Sequence, residues 1–569
     1  MVMETRKQQG RKQLVIILLA LLAVNFAGYY FFKRIDLTHD KRYTLSQTSL
    51  NIIESVQEPL YIDVFLEGEF PGEFKRLQDE TRQMLEEFHA YNPNIIFQFV
   101  NPLEDETQRE ATMRQFYEKG MTPINVTVED KGKSSQEVVF PWAVATYNDK
   151  STKIQLLKNM MGATTAEKVV SSVQHLEYAL AEALSKITTA KEKKIAVIKG
   201  NGEMPDRLMA DFIKQLRETY YIGPFTLDSV AKNPQNALKF LKKYDLAIIS
   251  KPREKFTEEE KEVLDQYIVN GGKTLWMIDA VHIEMDSLYN QNGTTLAFPN
   301  DLGLNDMFFK YGVRILPDLV KDEMATPIKL ASGSQGSESQ YQDYTWKFAP
   351  FAYPDPSEYK GASHPIVKNM SGIRMDFANG IDTLKNNIKK TILLQSSRYS
   401  KRVGTPVEVK LDMVAEEVSQ KDYDGQGDIP MAVLLEGKFR SNYENRLLPF
   451  KDPAYQTVGK PGKMIVISDG DIAKNQLDDK MQPLELGYDK WTGQLYDNKG
   501  FMMNCVNYLL DDNGLINIRS KDVDLPMLDT QKVHDNYTMA QLVTVGLPIA
   551  ILGLFGLLFT YLRKRTYSK

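Results

Sequence analysis

The sequence predicts an α/β protein carried between two apolar helices. Three observations predict it: nearly uncharged runs stand at residues 14–32 and 542–562, four short continuous apolar runs lie between them, and segments of helical periodicity separate those four. The chain of 569 residues is 42% hydrophobic and 25% charged, with a net charge of -5, so it can build several cores and is too balanced to bind nucleic acid by bulk charge. Its single cysteine, Cys505, excludes an intramolecular disulfide, a CxxC redox pair and a Cys-rich zinc site. His39, His89, His175, His282, His364 and His534 form no HxH or HxxxH pair. We therefore expect neither a metal nor a cofactor.

The first run, LVIILLALLAVNFAGYYFF, matches the roughly 20 residues of a membrane-spanning helix. Arg6, Lys7, Arg11 and Lys12 would also suit the basic head of a signal peptide, but the cleavage pattern near Ala27 is poor. Tyr29, Tyr30, Phe31 and Phe32 have the character of an interfacial aromatic belt, so residues 1–35 read as a short tail and an uncleaved anchor. A second span, 539–562, is followed by the basic tail 563–569 with Arg563, Lys564 and Arg565. Positive charge favours the cytoplasmic side, so both termini are expected there and the bulk of the chain outside.

Residues 36–160 begin with a helix and an alternating strand in YTLSQTSLNIIESVQEPLYIDVFLEG. Phe74, Leu77, Thr81, Leu85 and Phe88 then share one helical face, the strand IIFQFVNP follows, a second helix is expected near 107–119, and GMTPINVTVED and QEVVFPWAVATY read as a strand pair. The order βαβαββ, with Pro123 ahead of a strand, suits a thioredoxin-like domain in which that proline is cis. EGEFPGEF stands where a redox CxxC would be, which makes this a binding or spacer version.

Residues 161–192 predict one long linking helix. Thr164 and Glu167 form a capping box, and Val169, Val173, Leu176, Leu180, Ala183 and Ile187 recur at intervals of four and three. Packing between the two flanking domains is the reading favoured over docking of a partner.

From residue 193 to 330 the pattern is α/β. IAVI, DLAIIS, TLWMID and, after an irregular β-rich insertion at 331–460, KMIVISD are short enough and apolar enough for strands buried on both faces of a parallel sheet. A helix runs near 207–220. Another starts at the capping pair Thr257 and Glu260 and stops at Gly271-Gly272. Residues 461–535 close the domain, and NKGFMMNCVNYLLDD supplies a last helix with a buried structural thiol at Cys505.

The stretch KIAVIKGNGEMP holds the candidate site. It lacks the lysine and hydroxyl of a Walker loop and the third glycine of a dinucleotide fingerprint. What remains is a strand-to-loop corner at the carboxyl end of a parallel sheet, where open α/β folds place their ligand crevices. Gly200, Asn201, Gly202 and Glu203 are the candidate residues there, and Asp279 and Asp469, ending neighbouring strands, would give the rim an acidic character together with Asp471. Capping of helices and turns explains the same residues equally well. Asp422, Asp424 and Asp428 approach calcium-loop spacing, but the bidentate glutamate would fall at Val433, so a solvated turn is the better reading. The chain has no GxSxG nucleophile elbow.

The N-terminal anchor, LSQTSLNII, HLEYALAEALSKIT running into KKIAVIKGNGE, and FTEEEKEVLDQYIVNGGKTLWMIDA together resemble the auxiliary components of bacterial ABC transport systems, and more narrowly the gliding-motility-associated GldG family of Bacteroidota. The resemblance covers essentially the whole chain. It implies a substrate-binding or auxiliary subunit in the inner membrane, beside a multi-span permease and a cytoplasmic ATPase, with lipid and envelope proteins as further partners. It also implies that the α/β domain is similar to flavodoxin-like folds and class I glutamine amidotransferases. The nucleophilic cysteine of those enzymes is missing, since no cysteine precedes residue 505. A non-enzymatic subunit is therefore expected; a membrane-tethered hydrolase using Asn201, Glu203 and Asp279, or a ligand-free envelope scaffold, are the alternatives.

Overall fold

The computed structural model describes residues 12, 14–26, 36–38, 40–68, 70–105, 107–130, 133–335, 338–352, 364–416, 419–423, 425–521 and 530–567. The chain divides into two compact units, 1–522 and 523–569, and is a mixed α/β protein with parallel and antiparallel sheets.

In the first unit, β1 (Leu60–Val64), β2 (Ile95–Phe99), β5 (Trp142–Tyr147) and β6 (Lys150–Gln155) form a four-stranded sheet in the order β2-β1-β5-β6. β1 runs parallel to β2 and antiparallel to β5, and β5 antiparallel to β6. The Gly72–Tyr91 helix buries Phe74, Leu77, Thr81, Leu85 and Phe88, the face that the sequence places together. Between the Arg109–Glu118 helix and β5, β3 (Ile124–Asp130) and β4 (Lys133–Val139) pair only with each other, as a separate ribbon. Pro123 therefore precedes a strand outside the sheet, and the Thr122–Pro123 bond is trans; the cis peptide among the described residues is Thr405–Pro406. Pro141 stands directly before β5.

The main sheet has seven strands. From one edge to the other they are Lys389–Gln395, Pro430–Arg440, Val458–Ile467, β10 (Lys273–Met277), β9 (Leu246–Ser250), β7 (Lys194–Lys199) and β8 (Tyr221–Thr226). The five from Val458–Ile467 to β8 are parallel, and Pro430–Arg440 runs antiparallel to both of its neighbours. Two strands from the segment read as an insertion thus complete the main sheet. Side chains alternate between faces along a strand, and this splits each apolar run into two cores: Ile248, Leu275 and Ile465 pack with Phe212, Phe501 and Cys505 on one face, and Ile249, Trp276 and Val466 with Leu264, Tyr267 and Phe308 on the other.

Local signals place the helices. The Thr165–Thr188 helix opens with the complete Thr164/Glu167 capping box and buries Val169, Val173, Leu176, Leu180, Ala183 and Ile187. It packs on β5, β6 and the Gly72–Tyr91 helix, and Tyr178 and Ala181 cluster with Ile518. Its buried Glu177 is a clasp for both ends of the unit. One carboxylate oxygen accepts the Ser46 N–H at 2.7 Å and the Ser49 hydroxyl at 2.8 Å; the other meets the Lys521 ammonium at 2.8 Å. Lys521 also donates to the carbonyls of Arg42 and Thr44.

The Glu258–Val269 helix carries the Thr257/Glu260 capping box and ends in a Schellman motif: the Gly272 N–H donates to the Tyr267 carbonyl, Gly271 to Ile268, and Gly271 has φ +93°. Residues 441–456 lie along this helix and bury its polar side. Asp265 accepts from the Tyr311 hydroxyl at 2.7 Å, the Ser441 hydroxyl at 2.6 Å and the Asn442 N–H at 2.7 Å, while Gln266 exchanges two bonds with the Gln456 backbone.

In the second unit, Tyr537–Arg565 is a helical stretch of 29 residues whose most apolar 18-residue window has a mean hydropathy of 2.5, long enough to cross a membrane. Its Thr544 and Thr560 hydroxyls donate to carbonyls one turn earlier, which satisfies them without water. The N-terminal apolar helix is described only over Leu14–Phe26; residues 27–32 of the expected span lie outside the described residues.

Asp265→Ala leaves three buried donors without an acceptor, and at roughly 1–3 kcal/mol for each such group we expect a loss of several kcal/mol. Thermal denaturation should show the drop, and Asp265→Asn, which keeps acceptor capacity, should lose less.

Candidate functional site

Buried strands end where their backbone and side chains meet polar loops, so the carboxyl edge of the main sheet collects the charged groups. β7 runs out into Lys199-Gly200-Asn201-Gly202-Glu203. Gly200 and Gly202 have φ of +125° and +70°, and a Cβ at Gly200 would stand 3.2 Å from the Asp228 carboxylate and the Leu227 nitrogen. Only glycine turns the chain this sharply without a clash. The turn buries Asn201, which is 3% exposed, and its carbonyl accepts the N–H groups of Arg253 and Glu254, both at 2.9 Å. Its Nδ2 donates to Glu260 at 3.1 Å, so the helix-capping glutamate also holds the β7 corner. The Asn201 N–H donates to Glu203 at 2.8 Å. Burial raises the Glu203 carboxyl above the usual carboxylate range against the pull of that N–H.

Asp279 and Asp469 lie in a second group, around Lys251. This lysine follows β9 directly, is 4% exposed, and has φ +50°, a left-handed conformation unfavourable to any residue with a Cβ. Its ammonium stands 2.5 Å from Asp471, 3.0 Å from Glu284 and 3.4 Å from Asp279. Lys474 approaches Asp471 at 3.3 Å, and Gly470 donates its N–H to Asp279 at 2.5 Å. Asp469, fully buried, accepts the N–H groups of Asp471 at 2.7 Å and Asp376 at 2.9 Å. Arg253 joins the two groups, since its backbone meets Asn201 and its guanidinium reaches Glu284 at 2.6 Å.

The carboxylates do not behave alike. Burial raises Asp279 to about 6, with Lys251 opposing and Asp471 reinforcing. Asp469 is raised well above the usual range by burial and by the neighbouring Asp471, Asp279 and Asp376 carboxylates. Burial acts on Asp471 in the same sense, but Lys251 and Lys474 overcome it and hold that group low. Lys251 is raised: three carboxylates outweigh the burial that would discharge it. Lys251 is the positive centre of these carboxylates, and among the described residues no group of His, Cys, Asp and Glu is arranged to hold a metal.

The structure therefore brings Gly200, Asn201, Gly202 and Glu203 together in one corner and Asp279 and Asp469 in an adjoining cluster. Sequence reasoning missed Lys251, Arg253, Glu284 and Lys474. The one cue was a Lys-Pro pair directly after a buried apolar run, and the partners of that lysine lie 28 to 220 residues away in sequence.

Comparison with known proteins now decides the family. A family model described as an ABC-type uncharacterized transport system matches residues 192–505, more than half of the chain and all of the main sheet. The chain belongs to this family. Membership suggests an accessory role in ABC-type transport, and for the family in general implies permease and ATPase partners; with the apolar C-terminal helix it also suggests association with a membrane. A domain family of unknown function matches residues 39–146. An uncharacterized protein of Borreliella burgdorferi is 22% identical over 421 residues, covering 73% of this chain and 74% of the relative. Among solved structures, the mmIFT52 N-terminal domain is 14% identical with a TM-score of 0.30, covering 56% of this chain and 99% of that one. A ThuA-like protein from Parabacteroides merdae is 11% identical with a TM-score of 0.27, covering 60% and 94%.

Two outcomes test the cluster. Lys251→Met strands three carboxylates around an uncharged side chain, and we expect a loss of about 3–5 kcal/mol, partly recovered in the double variant with Asp471→Asn and read by denaturant unfolding. Asp279 binds its proton more tightly in the folded chain than in the unfolded one, so its contribution to stability falls as pH rises from about 4 to about 6. Asp279→Asn should flatten that slope.

Proposed function

We propose that this protein is a non-enzymatic, membrane-anchored auxiliary or substrate-binding subunit of an ABC transporter serving bacterial gliding motility or the secretion linked to it. The family match over residues 192–505 carries the reading. Both terminal runs span the inner membrane, both termini face the cytoplasm, and the bulk of the chain is periplasmic. The Glu177–Lys521 clasp supports this arrangement, because it brings the segment after the first run and the segment before the second to one place on the body.

The order β2-β1-β5-β6, with β5 and β6 antiparallel, supports a thioredoxin-like domain over 36–160. The five parallel strands between two helical cores support a flavodoxin- or amidotransferase-like domain. At the β7 corner, Asn201 and Glu203 are the candidate ligand contacts. Their buried Oδ1 and Oε1 atoms have no hydrogen-bond donor among the described residues, whereas Asp279 and Asp469 are engaged by backbone N–H groups and support the corner from behind. ATP-driven movement of the permease reaches the periplasmic domains through the two membrane connections.

Affinity purification of the full-length tagged protein in mild detergent, followed by mass spectrometry, tests the reading. A multi-span permease and an ATPase should remain bound, and removal of residues 539–569 should release them. Recovery of the protein alone, or with outer-envelope proteins only, would overturn it.

A further inference from the structure

The outer edge of the main sheet carries a groove well apart from the Lys251 cluster in chemistry. β8 pairs with β7 alone. The Tyr221 N–H donates to the Lys193 carbonyl at 2.9 Å, so the main-chain groups of residues 221, 223 and 225 face β7 and those of 222, 224 and 226 face outward. Pro224 stands at the middle of the outward set and has no N–H. A partner strand could not form a continuous ladder here, which is how natural edges resist strand addition. What the edge offers instead is the space between it and the Pro234–Leu241 helix, a groove of about 820 Å³ within the ~300–1,000 Å³ typical of small-molecule sites.

Its chemistry is one-sided. Phe225, Phe240 and Tyr244 give it an aromatic lining, with Phe225 edge-on to Tyr244 at 5.9 Å and Phe240 46% exposed. Lys194, Lys232 and Lys243 line it as well, and no aspartate or glutamate does. Lys243 places its ammonium 4.5 Å over the Phe240 ring. Among the described residues no carboxylate pairs with any of these three lysines, although their neighbours Lys193 and Lys199 are both paired, the latter with Asp206 at 2.8 Å. Phe240 thus stands open to solvent beneath the unpaired Lys243 ammonium, next to the partly buried rings of Phe225 and Tyr244, so that apolar surface and positive charge face the same space.

We propose that the groove between β8 and the Pro234–Leu241 helix binds a small amphipathic anion, a carboxylate or phosphate carried on an apolar or aromatic body. The lysines hold the head and the rings hold the body, with Lys243 and Phe240 contacting both parts. The site is independent of the crevice at Asn201 and Glu203 and of the identity of the transporter.

The test uses the full-length protein in lipid nanodiscs, with empty nanodiscs as reference, and saturation-transfer NMR with 4-phenylbutanoate and phenyl phosphate as probes. Both anions should bind and displace each other, and 4-phenylbutanamide should bind at least tenfold more weakly; the stronger of the two anions identifies the preferred head group. The double variant Lys232→Ala, Lys243→Ala should lose at least tenfold in affinity with an unchanged circular dichroism melt, since both side chains lie on the surface. Phe240→Ala should weaken both anions and the amide together. Absence of binding, equal binding of acid and amide, or undiminished binding to the double lysine variant would each overturn the proposal.

Discussion

The four parallel strands β7, β9, β10 and Val458–Ile467, buried on both faces, impose most of what this protein does with its polar groups. Neither face of such a sheet can accept charge, so charge gathers where the strands stop. Lys251 shows how strict that constraint is. It sits at the end of β9 in a backbone conformation that glycine would adopt more easily, and the structure keeps a lysine there because Asp471, Glu284 and Asp279 converge on its ammonium. The β7 corner, the ends of β9 and β10 and the loop after Val458–Ile467 are joined through that cluster and through Arg253.

Signals confined to one turn or one strand were legible in the sequence. The two capping boxes, the Gly271 stop and the apolar runs of β7, β9, β10 and Val458–Ile467 all lie within a few residues of the feature they specify. Long-range pairing was not. Lys389–Gln395 and Pro430–Arg440 read as parts of a β-rich insertion because nothing local says which sheet a strand joins. The β3–β4 ribbon drew attention to Pro123 for the same reason. At the site, the corner at 200–203 was visible from its glycines, and the lysine that neutralises its acidic neighbours was not, since each partner comes from a different loop.

The Glu258–Val269 helix gives the clearest case of a pattern misleading about exposure. EEEKEVLDQYIV has the composition of a solvated surface helix, yet Glu262, Asp265 and Gln266 are fully buried. Residues 441–456 cover them, and Asp265 receives bonds from both that segment and Tyr311. Polar residues there specify how a loop lies down on a helix, a role that composition alone does not reveal.

The clasp at Glu177 has a mechanical meaning. Both ends of the large unit are tied to one carboxylate on one rigid helix, so tension arriving along either end is borne at a single point and passes between neighbouring bonds without stretching the body along its length. A pull on either end would therefore load this clasp before it reached the strands of the sheets.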